Sequence, residues 1–204
     1  MIYLIITTSL HDKVNGYNST DRENRYIDCI QSVLTLVEND SSVKPIIVEN
    51  NGLRPTRLDK LKCDVVYTNN NSLHFKHKGV NELLDMKQVI KQYNIQDEDV
   101  VIKLTGRYKL LDTAFINLIK GNLNTYDAFI KFFEVCSRQY GFYDCVLGLF
   151  AIKCKFLNAF EYKCEVSAER DFATYVRTSI ERIMEVPHLN LECCFADDLR
   201  ILYI

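Results

Sequence analysis

Patterns typical of β-strands and α-helices alternate along the first half of the chain, and this alternation limits the folds that it can adopt. Four apolar runs have the length and β-branched composition of buried strands, and they read IYLIITT, KPIIVEN, DVVYTN and VVIKLT. Between them lie two long amphipathic stretches, NRYIDCIQSVLTLVEN and KGVNELLDMKQVIKQYNI, and a shorter one, RLDKLKC. This alternation predicts an α/β fold with a mostly parallel central sheet flanked by helices.

The second half of the chain is less regular. Helices are predicted for TAFINLIKGNL and ERDFATYVRTSIERI, a strand for YDAFIKFFEV, a strand leading into a helix for CVLGLFAIKCKFLNAF, and one or two short strands for LNLECCFADDLRILYI. The chain has 204 residues, of which 48% are hydrophobic, enough for one sizeable core. Since the sequence shows no internal repeat and no low-complexity segment, a single domain over residues 1–204 is predicted.

Small polar residues follow each of the four strands predicted for the first half. They are Thr7-Thr8-Ser9, Glu49-Asn50-Asn51, Thr68-Asn69-Asn70 and Thr105-Gly106-Arg107. In open α/β sheets, ligands bind beyond the carboxyl ends of the strands. Because the four ends would meet at one edge of the sheet, the sequence predicts a ligand site there.

Three cations, Lys103, Arg107 and Lys109, surround Gly106 at the end of the fourth strand. One interpretation is a solvated strand end in which Arg107 pairs with a carboxylate such as Asp99. The other is an anion site, because arginine presents a planar fork to phosphate and Gly106 lets the backbone approach a ligand closely. The formal net charge of −2 indicates that any polyanion site is local, which argues against a nucleic-acid partner.

Several common site motifs are absent from the sequence. It contains no GxxxxGK[ST], GxGxxG or GxSxG, which argues against P-loop, Rossmann dinucleotide and α/β-hydrolase enzymes. The eight cysteines include no CxxC pair, and His74 and His77 have no third ligand nearby, so no metal site is predicted at these residues. With no signal peptide and no membrane-spanning stretch, we expect a cytoplasmic protein with reduced, mostly buried cysteines.

Two acidic pairs have the spacing of metal ligands. Asp97 and Asp99 precede the fourth strand, so we favour a solvated turn at the amino end of the sheet over a metal site. Asp197 and Asp198 form a similar pair near the chain end, and their position in the fold stays open.

Other charged residues are candidates for binding or proton transfer. Lys78 and Gly79 begin a predicted helix, where backbone N–H groups favour anions. Ser167 has the character of a helix N-cap, and the carboxylates that follow it, Glu169 and Asp171, are candidates for a general base or an acceptor-binding group. Asp144 is another such candidate.

Taken in order along the chain, these segments resemble a known group of proteins. The resemblance rests on ITTS, on Arg25 and Tyr26 in the first helix, and on IIVENNG, VVYTNNN, KGVNELLD, DEDVVIKLTGRYKLL, YDAFIKFF, DCVLGLFAIK and FADDL. The group is the small GT-A-like glycosyltransferase-type proteins of the nucleotide-diphospho-sugar transferase fold, many of them viral or bacterial. KLTGRY is its most specific element. A viral member would be expected in the host cytoplasm.

The resemblance implies a UDP- or GDP-type nucleotide-sugar donor bound across the carboxyl edge of the sheet. Residues 1–111 would form the nucleotide-binding half and residues 112–204 the acceptor-side half. Thr7, Thr8 and Glu49 would lie near the base and ribose. Asn70, Lys78 and Arg107 would lie near the ribose and diphosphate, together with Lys103 and Thr105 of the same strand end. Asp144 and Glu169 would lie on the acceptor side.

One departure from the family pattern concerns the metal. GT-A enzymes usually carry an Asp-x-Asp after the fourth strand that holds Mn²⁺ or Mg²⁺ on the diphosphate, and here the place reads Thr105-Gly106-Arg107. Either other residues hold the metal, or Arg107 and Lys103 neutralise the leaving diphosphate directly. The departure also keeps open a catalytically inactive nucleotide-binding or interaction module. A further alternative, a sugar-phosphate nucleotidyltransferase, shares the fold.

Overall fold

A seven-stranded sheet with helices on both faces forms the centre of the molecule. The computed structural model describes residues 1–11, 20–195 and 200–204, so Asp197, Asp198 and most of the loop after the first strand lie outside the described residues. The strands of the sheet are Ile2–Thr8 (β1), Val43–Glu49 (β2), Asp64–Tyr67 (β3), Val100–Thr105 (β4), Ala128–Ile130 (β6), Leu149–Lys153 (β7) and Ile183–Glu185 (β8). Their order across the sheet is β3-β2-β1-β4-β7-β6-β8.

The four strands of the first half are parallel, as predicted. β1 lies between β2 and β4, with Ile5 opposite Ile46 on one side and Lys103 on the other. All six residues of β4 are buried, which agrees with a strand covered on both faces. β7 then pairs with β4 in the antiparallel sense and β6 pairs with β7 likewise, so the sheet is mixed at this end.

The alternation of side chains along the strands explains how the two long helices pack. Helix α1 spans Thr20–Val37 and α2 spans Lys78–Tyr93. Leu4 and Ile6 belong to the same core cluster as Tyr26 of α1, whereas Ile5 belongs to the cluster that includes Val89 of α2. Because neighbouring side chains of a strand point to opposite faces, α1 and α2 cover opposite faces of the sheet.

The helices of the second half agree with the sequence patterns except at one end. They are Ala114–Asn122 (α3), Cys154–Ala159 (α4) and Ala168–Ser179 (α5). The pattern predicted one helix up to Ile183, but α5 ends at Ser179 and Ile180 is extended, with φ −124° and ψ 123°. Ile183 lies in β8 instead, because β8 pairs with the edge of the central sheet through β6.

A second, three-stranded sheet lies beyond the carboxyl end of β4. It consists of Lys109–Leu110 (β5), Leu191–Cys194 (β9) and Ile201–Tyr203 (β10), in the order β10-β9-β5. The predicted short strands near the chain end are therefore present. β9 pairs with β5, which follows β4 in the sequence. An ion pair of 2.6 Å between Arg25 and Glu192 fixes this sheet to α1.

The cysteines agree with the expectation of mostly buried thiols. All eight cysteines are free thiols, five of them buried, one exposed and two intermediate. Within residues 1–11, 20–195 and 200–204, no helix combines the length and the apolar character needed to cross a membrane.

Candidate functional site

The carboxyl ends of the four parallel strands meet, as the sequence predicted. The N–H of Gly106 donates to the carbonyl oxygen of Thr7 at 2.8 Å, and the N–H of Asn50 donates to that of Thr8 at 3.3 Å. The N–H of Asn71 then donates to the carbonyl oxygen of Asn50 at 3.0 Å, which brings in the segment after β3. Residues far apart in the sequence thus form one continuous polar edge.

Three adjoining cavities open at and beside this edge. The β1 cavity, of about 90 Å³, is lined by residues that include Thr7, Thr8, Asn50, Asn81, Lys78 and Arg107. The central cavity, of about 290 Å³, is lined by residues that include Lys78, Gly79, Lys103, Thr105, Arg107 and Glu169. The outer cavity, of about 590 Å³, is lined by residues that include Arg107, Tyr108, Glu134, Asp144, Gly148 and Glu169. Arg107 borders all three.

Arg107 is held by neutral groups. Its Nε donates to the carbonyl oxygen of Cys194 at 2.7 Å, its Nη1 lies 3.5 Å from the hydroxyl of Tyr26, and its guanidinium lies over the ring of Tyr108. No carboxylate of the described residues forms an ion pair with it. The predicted pairing with Asp99 is wrong, because Asp99 lies at the amino end of β4 and accepts from the chain's N-terminal ammonium at 2.8 Å.

Lys103 is buried, and its ammonium group contacts three polar partners. Its Nζ contacts Glu82 Oε2 at 2.7 Å, Thr105 Oγ1 at 2.6 Å and the carbonyl oxygen of Leu147 at 3.0 Å. Burial lowers the pKa of Lys103, and the attraction of Glu82 opposes that shift. Although Lys103 borders the central cavity, Glu82 already balances its charge, so Lys103 offers a ligand less positive charge than its position in the sequence suggested.

The amino terminus of α2 faces the central cavity. Its N-cap residue, His77, makes no side-chain capping hydrogen bond, and the His77 Nε2 atom is buried without a partner. Lys76 and Lys78 border the cavity on either side of it. The unpaired N–H groups of a first helical turn carry partial positive charge, so the two lysines and the helix end together make a positive surface.

Two residues predicted near the nucleoside, Glu49 and Thr8, form contacts that stabilise the polar edge itself. The Glu49 carboxylate is completely buried and accepts from Thr8, Asn51, Arg54 and the N–H of Leu10. Thr8 borders the β1 cavity, but its hydroxyl lies 2.7 Å from Glu49.

The hydroxyl of Thr7 is different, because its Oγ1 atom is buried and has no hydrogen-bond partner among the described residues, although Thr7 lines the β1 cavity.

Asp85 is a component of the site that sequence reasoning missed. It is fully buried on α2 and accepts hydrogen bonds from Asn50, Thr68 and Asn70 at 3.1, 2.6 and 2.7 Å. Burial raises the pKa of Asp85 to about 6, against the effect of these hydrogen bonds. Asn70 is thus bound to Asp85 and borders none of the three cavities. The sequence does contain a signal for this role, because Asp85 is an acidic residue on the apolar stripe of α2, between Leu83 and Met86.

Carboxylates collect in the outer cavity. Asp144, Glu169 and Glu134 all border it, and Glu169 borders the central cavity as well. Burial raises the pKa of Asp144 to about 6, and the nearby charges of Glu169 and Glu134 add to that shift. Glu169 has no side-chain ion pair or hydrogen bond within the described residues, whereas Asp171 accepts from the N–H of Cys164 at 2.8 Å. Glu169 is therefore the better placed of the two acids after Ser167.

The described residues do not fit the Mn²⁺ site expected of a GT-A enzyme. No group of three or more His, Cys, Asp or Glu side chains among them is placed to hold a metal ion. At the position after β4, a Cβ added to Gly106 would lie 2.9 Å from Thr8 Cγ2 and 3.1 Å from the carbonyl oxygen of Thr7, which leaves no room for an aspartate. The next residue, Arg107, would repel a cation.

Residues Asp97 to Asp99 do not lie at the carboxyl edge of the sheet. They precede β4, and Glu98 is paired there with Lys153 and Lys155, each at 2.7 Å. The predicted solvated turn is confirmed.

Comparison with known proteins identifies the fold. A mannosyltransferase from Pyrobaculum calidifontis, solved with GDP-Man and Mn²⁺, superimposes with a TM-score of 0.59 at 11% identity, covering 92% of this chain and 55% of its own. A putative nucleotide-diphospho-sugar transferase from Desulfovibrio desulfuricans gives 0.57 at 10% identity, covering 91% and 79%. A cytidylyltransferase from Leptospira borgpetersenii gives 0.55 at 12% identity, covering 92% and 76%. The chain thus spans about half the length of the mannosyltransferase.

The fold is therefore that of the nucleotide-diphospho-sugar transferases, the class that includes both glycosyltransferases and nucleotidyltransferases. No protein-family model and no curated protein sequence matches the chain. At these identities, structural similarity establishes the fold alone, and the function rests on the site itself.

Proposed function

We propose that this protein is a glycosyltransferase that uses a UDP- or GDP-type nucleotide sugar as its donor. The observation that carries the proposal is the placement of Arg107, which borders all three cavities and has no carboxylate partner among the described residues. A guanidinium held in place by neutral groups, at the ligand edge of this fold, keeps its charge available for phosphate oxygens.

The donor is expected to lie along the polar edge. Its nucleoside would approach the β1 cavity, which is lined by Thr7, whose hydroxyl has no partner among the described residues. Its diphosphate would lie in the central cavity, between Arg107, Lys78 and the amino terminus of α2. Glu49 and Asn70 support this arrangement indirectly, by holding the strand ends together.

The proposed reaction uses the central and outer cavities, which are both lined by Glu169. In a direct displacement, the acceptor oxygen forms a bond to the anomeric carbon while the bond from that carbon to the β-phosphate oxygen breaks. The electron pair of the broken bond stays with the nucleoside diphosphate, where Arg107 and Lys78 stabilise the added charge. The acceptor proton passes to the Glu169 carboxylate, which borders both the donor side and the outer cavity. Asp144 would bind the acceptor in the outer cavity.

Two alternatives share the fold. A sugar-phosphate nucleotidyltransferase would bind a nucleoside triphosphate and a sugar phosphate at the same edge and would release pyrophosphate. A catalytically inactive binding module would bind the nucleotide sugar without consuming it. The unpaired Glu169 beside a separate outer cavity favours transfer to an acceptor over both.

Thermal denaturation with a panel of nucleotide sugars tests the donor site. We expect at least one UDP- or GDP-sugar to raise the melting temperature without Mn²⁺, because bound ligand stabilises the folded state. Arg107→Ala should lose most of that shift, whereas Arg57→Ala, which removes an exposed arginine bonded to Asn24, should keep it. The absence of a shift with every nucleotide sugar, with or without Mn²⁺, would contradict the proposal.

Product analysis then separates the three functions. Slow hydrolysis of the bound nucleotide sugar to nucleoside diphosphate and free sugar, in the absence of an acceptor, would support a glycosyltransferase. Release of pyrophosphate from a triphosphate and a sugar phosphate would identify a nucleotidyltransferase instead. Binding with no turnover of either kind would identify a binding module.

A further inference from the structure

Three exposed aromatic side chains lie together on the loop between β6 and β7. They are Tyr140, Phe142 and Tyr143, with 61%, 50% and 50% of their surfaces exposed. The rings of Phe142 and Tyr143 meet edge to face, with their centroids 4.7 Å apart. Arg177 of α5 joins Tyr140 to them, because its guanidinium lies 4.3 Å from the ring centre of Phe142 and donates to the Tyr140 hydroxyl at 3.0 Å. These contacts make the three rings one contiguous group, which we call the aromatic cluster.

The backbone of this loop places the aromatic cluster against the wall of the outer cavity. Gly141 lies between two of the aromatic residues, and a Cβ added there would lie 2.9 Å from the Cβ of Asp144 and 3.5 Å from that of Glu134. The N–H of Asp144 donates to the carbonyl oxygen of Gly141 at 3.1 Å, and Tyr143 directly precedes Asp144. Asp144 and Glu134 both line the outer cavity. A ligand bound beside these two carboxylates is therefore close enough for its next unit to reach the aromatic cluster.

The outer cavity offers both acceptors and donors of hydrogen bonds. Its charged side chains are the carboxylates of Glu134, Asp144 and Glu169 and the guanidinium groups of Arg107 and Arg170. Burial raises the pKa of Asp144, and the positive charge of Arg170 opposes that shift. Because carboxylates and guanidinium groups line the cavity together, it does not select strongly for a charged ligand.

A neutral saccharide matches both parts of this surface. Each sugar hydroxyl can donate to a carboxylate and accept from a guanidinium, so a sugar ring can use both kinds of group in the cavity. The faces of a sugar ring carry C–H groups, which pack on the electron-rich face of an aromatic ring and are removed from water there. Aromatic rings beside a cavity of hydrogen-bonding groups therefore suit a chain of sugar units.

A basic peptide fits this surface less well. Its lysines could pair with the carboxylates of the outer cavity, but Arg107 and Arg170 line the same cavity and would repel them. The ring of Phe142 already has the guanidinium of Arg177 4.3 Å from its centre, so a cation of the ligand would compete with a cation of the protein.

We propose that the outer cavity and the aromatic cluster form one binding site for an oligosaccharide acceptor. The terminal sugar unit occupies the outer cavity, where one of its hydroxyls faces Glu169, and the next unit packs on the aromatic cluster. The role of the saccharide as acceptor rests on the proposed function, whereas the binding of a saccharide at this site does not.

Saturation-transfer NMR with neutral sugars tests the site in the absence of any donor. The probes are cellotriose, maltotriose, mannotriose and chitotriose, each compared with its monosaccharide. At least one trisaccharide should bind, and its monosaccharide should bind about fivefold more weakly or less, because one unit cannot fill the cavity and also stack on the aromatic cluster.

Substitutions of Tyr143 locate the bound trisaccharide. Tyr143→Ala should weaken binding about fivefold, whereas Tyr143→Phe keeps the ring and should bind as the wild type does. Tyr140→Ala, at the other end of the aromatic cluster, should show a similar loss and provides the reading if Tyr143→Ala fails to fold. The matched control is Tyr203→Ala, which removes a tyrosine that is 66% exposed on β10 and should leave binding unchanged. Melting temperatures establish that each variant is folded.

Three results would overturn the proposal. They are the absence of binding by all four trisaccharides, equal affinity for the bound trisaccharide and its monosaccharide, and equal affinity of the wild type and the aromatic-cluster variants. Binding of tetralysine in place of every saccharide would also overturn it and would assign the site to a cationic acceptor.

The nucleotide-sugar thermal shift separates this inference from the proposed function. If a trisaccharide binds at the aromatic cluster while no nucleotide sugar raises the melting temperature, the saccharide site stands and the proposed function fails. If nucleotide sugars bind and no trisaccharide does, the proposed function stands and the saccharide site fails.

Discussion

The Nζ atom of Lys103 lies 2.7 Å from Oε2 of Glu82, joining the central strand β4 to the first turns of α2. The lysine side chain is 2% exposed and that of the glutamate 26% exposed, so water reaches only one end of the pair. The pair fixes the amino terminus of α2 against the end of β4. As a result, the amino terminus of α2 and Arg107 both border the central cavity.

We expect Lys103→Met to lower the free energy of unfolding by about 2–3 kcal/mol, below the range for fully buried pairs because solvent partly screens Glu82. The substitution leaves Glu82 and Thr105 without their shared donor. The double variant Lys103→Met/Glu82→Gln should recover part of the loss, because it removes the unpaired charge. Urea denaturation of the wild type, both single variants and the double variant gives the coupling. Additive losses would show that the pair contributes no coupling energy.

Gly148 sets the position of the Tyr108 ring between the central and outer cavities. A Cβ added at Gly148 would lie 2.1 Å from Tyr108 Cε2, a distance that forces the ring to move. We expect Gly148→Ala to cost about 1–3 kcal/mol of stability, as overpacking does. Gly121→Ala is the matched control, since a Cβ there meets nothing within 4 Å.

Removal of the ring tests the cause of that loss. In the background of Tyr108→Ala, the further change Gly148→Ala should be close to neutral, because the obstructing ring is gone. The same cost in both backgrounds would assign the effect of Gly148 to its backbone. Thermal denaturation of the four proteins decides between the two.

The contribution of Asp85 to the free energy of unfolding should increase as the pH falls. Burial raises its pKa in the folded protein to about 6, above its ordinary value of 3.8, so the folded state binds the proton more tightly than the unfolded state. The contribution of Asp85 to the free energy of unfolding is therefore largest below about pH 4 and is lost as the pH rises through about 6.

Comparison with Asp85→Asn isolates this contribution from the other carboxylates. As the pH rises from 4 to 7, the free energy of unfolding of the wild type should fall relative to that of Asp85→Asn. Measurements at steps of about one pH unit are enough to follow this change. Urea denaturation across the range measures the difference. A constant difference between the two proteins would show that Asp85 keeps the same pKa in both states.

The fold was predictable because its signals are local. Apolar runs and helical spacing mark β1 to β4, α1 and α2, and the rule for parallel sheets then brings Thr7, Asn50 and Arg107 to one edge. The site chemistry was less accessible, because it depends on contacts between distant residues. No spacing in the sequence shows that Lys103 meets Glu82, or that Asp85 gathers three polar side chains from two strand ends. The roles assigned to Asp144 and Glu169 remain predictions.

Glu169 provides the most direct test of catalysis. As the unpaired carboxylate between the central and outer cavities, it is expected to accept the acceptor proton during transfer. Glu169→Gln keeps the shape of the side chain and removes its basicity, so turnover should fall by about 100-fold or more, within the range for a general base. The thermal shift produced by the donor should change little, because Arg107 and Lys78 are intact.

The control for this prediction is Asp171→Asn, on the same helix. Asp171 is bonded to the N–H of Cys164 and borders none of the three cavities, so its loss should affect stability more than turnover. Steady-state rates with the identified donor, with and without acceptor, give kcat for both variants. If Glu169→Gln and Asp171→Asn reduced kcat equally, the effect would be structural and the proton acceptor would have to be sought elsewhere in the outer cavity, starting with Asp144.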